Sequence, residues 1–182
     1  MKRKRLILLV LMLTALLSPQ LKAQVFGGPE SMRGKTLVGG DFGLGMYGNS
    51  FYVSVAPQAG YRLTRSLEAG VRLGYELYYH YGDYSYGNYF CHYFSGAAYL
   101  NLEVFSGIYL HAEDEELCLL VSGKSLETSA SSWYNSVLVG GGYRQYWGND
   151  YTFYSILYNL SWDYDSPYSS PFVVRVGYCH GF

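Results

Sequence analysis

The sequence has little charge, few cysteines and no long apolar run beyond its first segment. Only 15% of its 182 residues are charged, and no basic stripe or patch occurs, so the chain lacks the positive surface that phosphate backbones require. Nucleic acid is therefore not an expected partner. No stretch after residue 23 reaches 18 apolar residues, which excludes a helical membrane span. No cysteine follows the first apolar run at its predicted cleavage point, which argues against a lipid-anchored lipoprotein.

Residues 1–23 have the pattern of a secretory signal peptide. Basic residues at positions 2–5 precede an apolar run over 6–17, and a small residue, Ala23, precedes Gln24. The run is shorter than the roughly 20 residues that a membrane-spanning helix needs. We therefore predict export and cleavage after Ala23. Without residues 1–23, 8 Lys and Arg remain against 14 Asp and Glu, which gives a mildly acidic chain with a formal charge of −6.

Tyrosine and glycine are abundant, with 22 copies each. Such a composition occurs in low-complexity secreted proteins, but it also suits outer-membrane strands, whose aromatic residues lie at both membrane interfaces. Residues 67–80 favour the second interpretation, because they alternate without a fault between an apolar and a mostly polar face. Period-two alternation predicts a strand with a different environment on each side. The mostly polar face carries Glu68, Gly70, Arg72, Gly74, Glu76, Tyr78 and His80.

The same alternation predicts eight antiparallel strands between residues 35 and 182, after a periplasmic lead-in at 24–34. Pro57 interrupts the second strand, which indicates a bulge or an unpaired position there. The fourth strand is predicted to be short, at about 89–95. The connections are predicted at 48–50, 64–66, 81–88, 96–97, 112–130, 148–150 and 163–170.

The predicted architecture is an all-β, eight-stranded, up-and-down transmembrane barrel. With both termini in the periplasm, the long connections 81–88, 112–130 and 163–170 all lie on the outer side, as in bacterial outer-membrane barrels. A soluble lipocalin-like barrel also has eight strands and an export signal. It would normally place apolar residues inside, whereas here the apolar face lacks charges and the other face collects them.

Charged residues of the polar face are predicted to meet inside the barrel, with Arg62 near its periplasmic end. An eight-stranded barrel has an interior just wide enough for side chains to fill, and buried charges are costly unless they are paired. We therefore predict an ion-pair network of four acids and four arginines that closes the lumen. A narrow polar pore or proton path is the alternative. Apart from Arg62, the network consists of Asp41, Glu68, Arg72, Glu76, Glu103, Arg144 and Arg175.

The last strand ends in Phe182, with Tyr178, Val176 and Val174 on the same face. With it, residues 35–182 resemble the small eight-stranded outer-membrane barrels of the OmpA/OmpX type, and in particular the porin-like barrel family of Bacteroidota-type Gram-negative bacteria. The resemblance implies an integral outer-membrane location and contact with outer-membrane lipid and lipopolysaccharide. It also implies that the barrel-assembly machinery reads Phe182, Tyr178 and Val176. His180 departs from the family pattern, in which an aromatic or aliphatic residue is usual.

Three histidines, His80, His92 and His111, are predicted near the outer rim, with the acidic run 113–116 close to His111. Such a cluster could bind a transition metal. It could also belong to a His/Ser/acid catalytic set, as in outer-membrane enzymes that modify lipid A. No spacing motif supports either role, so we expect interfacial polar residues, with no metal, no cofactor and no catalytic site.

The three cysteines allow one disulfide. Cys91 and Cys118 are both predicted towards the outer side, where a bond between them would link the long loop to the barrel. Cys179 is predicted near the opposite end and should stay free. Sequence alone does not determine the connectivity.

The expected function is that of a non-enzymatic envelope protein with a structural or surface-interaction role. The tyrosine-rich outer loops could present a surface to an extracellular partner, since tyrosine supplies rigid amphipathic contact area. Two alternatives stay open: a narrow porin-like channel for small solutes, and a lipid A-modifying enzyme that uses the rim histidines.

Overall fold

The computed structural model is a closed barrel of eight antiparallel strands in chain order, with β8 paired to β1. The predicted all-β fold of eight antiparallel strands in an up-and-down barrel is confirmed. The structure describes residues 32–47, 50–82, 88–123, 130–164, 166–168 and 170–182. The strands are β1 (Thr36–Tyr47), β2 (Ser50–Arg62), β3 (Leu67–His80), β4 (Tyr89–Phe105), β5 (Ile108–Gly123), β6 (Ala130–Trp147), β7 (Asp150–Asn159) and β8 (Phe172–Gly181). In these ranges no helix is long and apolar enough to cross a lipid bilayer. The predicted signal peptide and most of the lead-in lie outside the described residues.

The strands are staggered around the barrel. A path through directly paired residues starts at the first residue of β1 and ends at the first residue of β8, although these two strands run in opposite directions. The path passes through Thr36, Tyr61, Ala69, Leu100, Ala112, Val139, Tyr158 and Phe172. Stagger of this kind accompanies the strand tilt that closes a small barrel.

The two rims of the barrel differ. The short-turn rim carries the connections 63–66, 106–107 and 148–149, together with the start of β1 and the end of β8. Gly107 and Gly148 adopt positive φ values of 86° and 65° in these turns, a conformation that glycine reaches without steric cost. The opposite rim, here called the long-loop rim, carries the remaining connections. There β4, β5 and β6 are 17, 16 and 18 residues long, whereas β7 and β8 have only 10 residues each.

Side chains alternate between an apolar exterior and a polar interior. In β3, whose bounds coincide with the predicted strand, Val71 and Leu73 are exposed on the outside while Glu68 and Arg72 are buried inside. On β1, Phe42 and Leu44 are 73% and 67% exposed. The alternation in the sequence therefore assigns the two faces correctly.

The fourth and fifth strands differ from the prediction. Residues 96–97, predicted as a connection, lie inside β4, and residues 112–123, predicted as part of a loop, continue β5. Packing in the lumen explains the small residue at position 97. Ala97 pairs with Arg72 on one side and with Glu115 on the other, and its short side chain leaves room for Arg72 Nη1 to lie 3.5 Å from Glu115.

The acidic run 113–116 follows the same alternation. Glu113 and Glu115 are buried in the lumen, whereas Asp114 and Glu116 lie on the outer face, where the Asn135 amide contacts both of their carboxylates. Four consecutive acidic residues favoured a loop in the prediction. In the strand, two of them face the lumen and two face the exterior. The long connection predicted at 112–130 therefore shrinks to 124–129.

Pro57 lies within β2, as predicted. The pairing of β2 with β1 runs through it, opposite Gly40. On the β3 side the pairing skips Ala56 and Pro57 and resumes at Gln58 in the same register. The prediction of an unpaired position is confirmed, and the strand accommodates the proline without a bulge.

Candidate functional site

Charged and aromatic side chains fill the half of the lumen next to the short-turn rim. Arg144 and Glu68 are both buried there, and Arg144 Nη1 lies 2.8 Å from Glu68 Oε2. The Arg144 guanidinium also lies over the rings of Tyr109 and Tyr151, at 4.5 and 4.6 Å from their centroids. Asn101 Nδ2 donates a hydrogen bond of 3.1 Å to Glu68. The buried carboxylate therefore has several partners, as a charge in this environment requires.

A second ion pair lies closer to the short-turn rim. Arg62 pairs with Glu103, and both are fully buried. The Tyr146 hydroxyl donates to Glu103 Oε2 at 2.5 Å, and the Gly107 N–H donates to Glu103 Oε1 at 2.9 Å. Arg62 also donates to the Arg65 carbonyl at 2.9 Å. The pair thus connects the turns 63–66 and 106–107 to the interior.

A third group lies at mid-height. Arg175 donates two hydrogen bonds to Glu113, of 2.6 and 2.9 Å, in the bidentate geometry that makes such pairs strong. His111 lies between Glu113 and Asn101, with its ring nitrogens 3.1 and 2.7 Å from their oxygens. The cavity left between these side chains has a volume of about 20 Å³, which is room for about one water molecule.

The fourth group connects the lumen to a long-loop connection. Arg72 donates to both Asp41 oxygens, at 2.9 and 3.0 Å. From the connection 160–171, the Tyr168 hydroxyl donates to Glu115 Oε2 at 2.5 Å. Burial and the neighbouring Glu115 carboxylate raise the pKa of Tyr168 above its usual range, so this hydroxyl stays a donor. The connection after β7 is thereby anchored on the lumen charges.

All seven predicted network residues, and Arg62, face the lumen. Glu113 and Glu115 join them, so among the described residues six carboxylates face four arginines instead of the equal numbers that we predicted. The signal for both glutamates was present in the sequence, because they continue the alternation of Tyr109 and His111. Glu76 differs from the other inward carboxylates: it alone makes no ion pair or hydrogen bond with another residue in the described part of the chain.

Beyond these ion pairs, towards the long-loop rim, the lumen widens. We call this space the vestibule. It is continuous with space along the outer faces of β1 and β8, and the two together form a cavity of about 620 Å³. Glu76, Tyr52, Tyr78 and Tyr93 form part of its wall. Pro167 and Tyr168 of the connection 160–171 border it as well. The lumen is therefore divided into a filled half and a hollow half.

The three candidate histidines do not come together. His80 is at the long-loop end of β3, 2.8 Å from Ser50 Oγ, and His92 is 3.1 Å from the Tyr75 hydroxyl on the outer face. His111 is the fourth residue of β5, which rises from the short-turn rim, so it lies in the other half of the barrel. The predicted rim cluster is wrong, because it depended on ending the fifth strand at His111. No group of three potential metal ligands occurs among the described residues.

The cysteines are free thiols. Cys91 is buried in the lumen and pairs with Val121, whereas Cys118 follows the buried Leu117 and therefore points outward, opposite Phe94. The hypothesis of a disulfide between Cys91 and Cys118 is wrong, because the two side chains lie on opposite faces of the wall. Cys179 is buried near the short-turn rim, where it accepts a hydrogen bond from Gln58 Nε2 at 2.9 Å. It is free, as predicted.

The residues of the predicted assembly signal all lie on the outer face. Phe182, Tyr178 and Val176 are 68%, 46% and 44% exposed. His180, which departs from the family pattern, lies on the same face, 2.5 Å from Asp150 Oδ1 and in edge contact with the Phe182 ring. Recognition of this strand by the assembly machinery stays a prediction.

These features define the class of closed eight-stranded antiparallel barrels with a mostly apolar exterior and a charged interior. Asp114 and Glu116 interrupt the apolar exterior, contrary to the prediction that this face lacks charges. A solved structure with a similar fold is the N-terminal β-barrel domain of Pseudomonas aeruginosa OprF, which is 12% identical in sequence. The alignment covers 82% of this chain and 98% of that chain, with a TM-score of 0.47. No family model and no curated protein matches the sequence. The assignment to this class rests on the strand pairing of the chain itself.

Proposed function

We propose that this chain is an integral outer-membrane protein. The observation that carries the proposal is the inverted distribution of its side chains. Each of the eight strands exposes large apolar residues on the outside, while buried charges face the lumen. A soluble barrel has the reverse arrangement, and so large an apolar exterior would be costly in water. A lipid bilayer is the solvent that suits it, with strands as the spanning elements.

Aromatic residues support the same conclusion. Outer-membrane barrels carry aromatic girdles at both membrane interfaces. In this barrel, exposed aromatic side chains lie near both rims. Those near the short-turn rim are Tyr61, Phe105, Tyr143, Trp147, Tyr178 and Phe182, and those near the long-loop rim are Phe51, Tyr81, Phe90 and Trp133.

We further infer that the ion-pair network closes the lumen and that the protein has a non-enzymatic, structural or surface-interaction role. The ion pairs cross the lumen at mid-height, and the cavity between them has a volume of about 20 Å³, which is room for about one water molecule. This favours a closed barrel over the narrow porin-like channel. The separation of the three histidines removes the specific observation that had suggested a lipid A-modifying enzyme.

Contact surfaces for outside partners belong to the same proposal. The barrel would contact outer-membrane lipid along its exterior and lipopolysaccharide around the long-loop rim, and the assembly machinery would engage β8. An extracellular partner would meet the connections 81–88 and 163–170 and the segment 124–129, which replaces the predicted loop 112–130. Tyr168 holds one of these connections against Glu115, so part of this surface has a fixed shape.

The test is single-channel recording on the protein expressed with its own leader and purified from the membrane fraction. A heat-modifiable gel shift checks folding. We expect the wild-type barrel to fractionate with the outer membrane and to show no conductance steps. The double variant Arg144→Ala/Glu68→Ala removes the central ion pair, and we expect it to conduct, which shows that the assay can detect a pore. Discrete steps from the wild type would contradict closure, and a soluble protein would contradict the membrane assignment.

A further inference from the structure

The vestibule has the dimensions of a ligand site. Its volume of about 620 Å³ lies within the range of roughly 300–1,000 Å³ that small-molecule pockets span. The ion pairs of the filled half form its floor, through Asp41, Arg72, Glu115 and Arg175. Because those four residues already pair with protein groups, they offer little to a ligand. The charge that is left for one is the carboxylate of Glu76.

Tyrosines lie around Glu76. Glu76 is paired across the sheet with Tyr93 on β4 and with Ser54 on β2. Tyr78 follows two residues later on the same face, and Tyr52 is its cross-strand partner. Side chains directly opposite each other in a sheet have Cβ atoms about 5 Å apart, and diagonal neighbours about 7–8 Å, so these rings and the carboxylate line one part of the wall. All three tyrosines border the cavity.

A carboxylate that makes no ion pair or hydrogen bond with a described residue, and that lies among aromatic rings, is suited to one class of ligand. The faces of aromatic rings carry negative potential and attract cations, and cages of such rings recognise quaternary ammonium groups. An inorganic cation would need several oxygen ligands, and the described residues contain no group of three potential metal ligands. An anion would meet the Glu76 charge without a free arginine to offset it. The geometry therefore favours an organic cation.

Part of the vestibule wall, between β1 and β8, lacks strand pairing. The pairing of β1 with β8 covers residues 37–41 and 177–181, and the Phe182 N–H also donates to the Thr36 carbonyl. Towards the long-loop rim the pairing stops, although β1 continues to Tyr47 and β8 begins at Phe172. Phe42 of β1 and Val174 and Val176 of β8 border the cavity along this unpaired seam. An apolar tail could therefore extend from the vestibule through the seam towards the exterior.

We propose that the vestibule binds an organic cation, with its ammonium head group at Glu76 between Tyr52, Tyr78 and Tyr93. The ligand is either a tail-free quaternary ammonium compound that enters at the long-loop rim or an amphiphile whose tail lies in the seam. Both kinds of ligand have the same ammonium head group, and the proposed contacts with Glu76 and the tyrosines are contacts with that group. This proposal rests on the hollow half of the lumen and stands whether or not the filled half conducts.

The test is equilibrium dialysis of radiolabelled choline against the full-length folded protein in dodecyl maltoside, with micelles alone as background. We expect saturable retention of choline. Glu76→Gln should weaken it by about tenfold, the loss expected for a charged partner, and Tyr78→Leu by about threefold. Glu116→Gln makes the same chemical change on the outer face and should retain choline like the wild type. The heat-modifiable gel shift establishes that each variant is folded.

Displacement experiments identify the source of the ligand. If dodecyltrimethylammonium displaces choline at a much lower concentration than tetramethylammonium, the tail contributes and the ligand comes from the membrane. If both displace it equally, the ligand is soluble. The neutral choline isostere 3,3-dimethyl-1-butanol should not compete. No saturable retention of choline at millimolar concentration, or equal retention by folded Glu76→Gln, would overturn the proposal.

Discussion

The two halves of the lumen are built from the same eight alternating strands, yet one is filled and the other is hollow. In the half next to the short-turn rim, each inward carboxylate has a charged partner, and the cavity between the ion pairs at mid-height measures about 20 Å³. In the other half, about 620 Å³ stays open and Glu76 has no partner among the described residues. Alternation decides only which residues point inward. Whether the interior is closed depends on how many large side chains of opposite charge lie at the same height along the barrel axis.

The largest expected effect comes from removing a cation from the filled half. Arg144→Ala leaves the buried Glu68 without its main partner, and breaking a buried ion pair costs about 3–5 kcal/mol. Arg72→Ala should act in the same direction through Asp41. Urea unfolding in lipid vesicles, followed by tryptophan fluorescence, measures the loss. Arg33→Ala, at an exposed position, is the control, and equal stability of all three variants would argue against the network as a stabilising element.

Overfilling the boundary between the halves should cost less. Ala97→Leu places a large side chain between Arg72 and Glu115, and overpacking of this kind costs about 1–3 kcal/mol. Ala98→Leu adds the same group to the exposed outer face of the same strand and should be nearly neutral. The same unfolding measurement compares the two. If Ala98→Leu proved the more damaging, the assignment of faces in β4 would be wrong.

A smaller effect is expected at the connection that borders the vestibule. Tyr168→Phe removes the hydroxyl that donates to Glu115, a loss of about 1–2 kcal/mol. The connection 160–171 should then be cut faster by a protease added to intact vesicles. Tyr164→Phe, at a position that is 96% exposed, is the matched change. Cleavage at the same rate in both variants would show that the hydrogen bond does not hold the connection in place.

The smallest effect is expected at Glu76. Because Glu76 makes no ion pair or hydrogen bond with a described residue, Glu76→Gln should change the free energy of unfolding by no more than about 0.5 kcal/mol. Glu113→Gln makes the same substitution in the filled half, where it weakens a bidentate pair with Arg175, and should destabilise clearly. A large loss of stability in Glu76→Gln would mean that the hollow half is also held together by charge.

Features that depend on local alternation could be predicted from the sequence, whereas features that depend on contacts between strands could not. The alternation of residues 67–80 predicts both ends of β3 correctly. The inward position of Glu68, Arg72 and Glu76 follows because successive side chains of a strand point to opposite faces. The boundary of β4 does not follow from local pattern. Ala97 is small because Arg72 and Glu115, from the two flanking strands, meet across it. Contacts between strands that are distant in sequence leave no periodic signal.

Errors in placing the histidines and cysteines have the same origin. A prediction that ends β5 at His111 places this histidine at the outer rim. It also treats residues 112–123 as a loop, so their alternation between the two faces is not used. With that alternation, Cys118 falls on the outer face and Cys91 on the inner face. The free volume of the vestibule could not be predicted from the sequence either. It depends on which side chains lie at the same height along the barrel axis, and the stagger of the strands decides this.

The unequal strand lengths have a directional consequence. β4 is 7 residues longer than β7 and β8, a difference of roughly 20 Å along the strand. In a membrane, the wall formed by β4, β5 and β6 would therefore reach further towards the outer side than the wall formed by β7, β8 and β1. The unpaired seam lies in this shorter wall. The barrel is therefore asymmetric about its axis, and a membrane-bound molecule would reach its interior on the side of β7, β8 and β1.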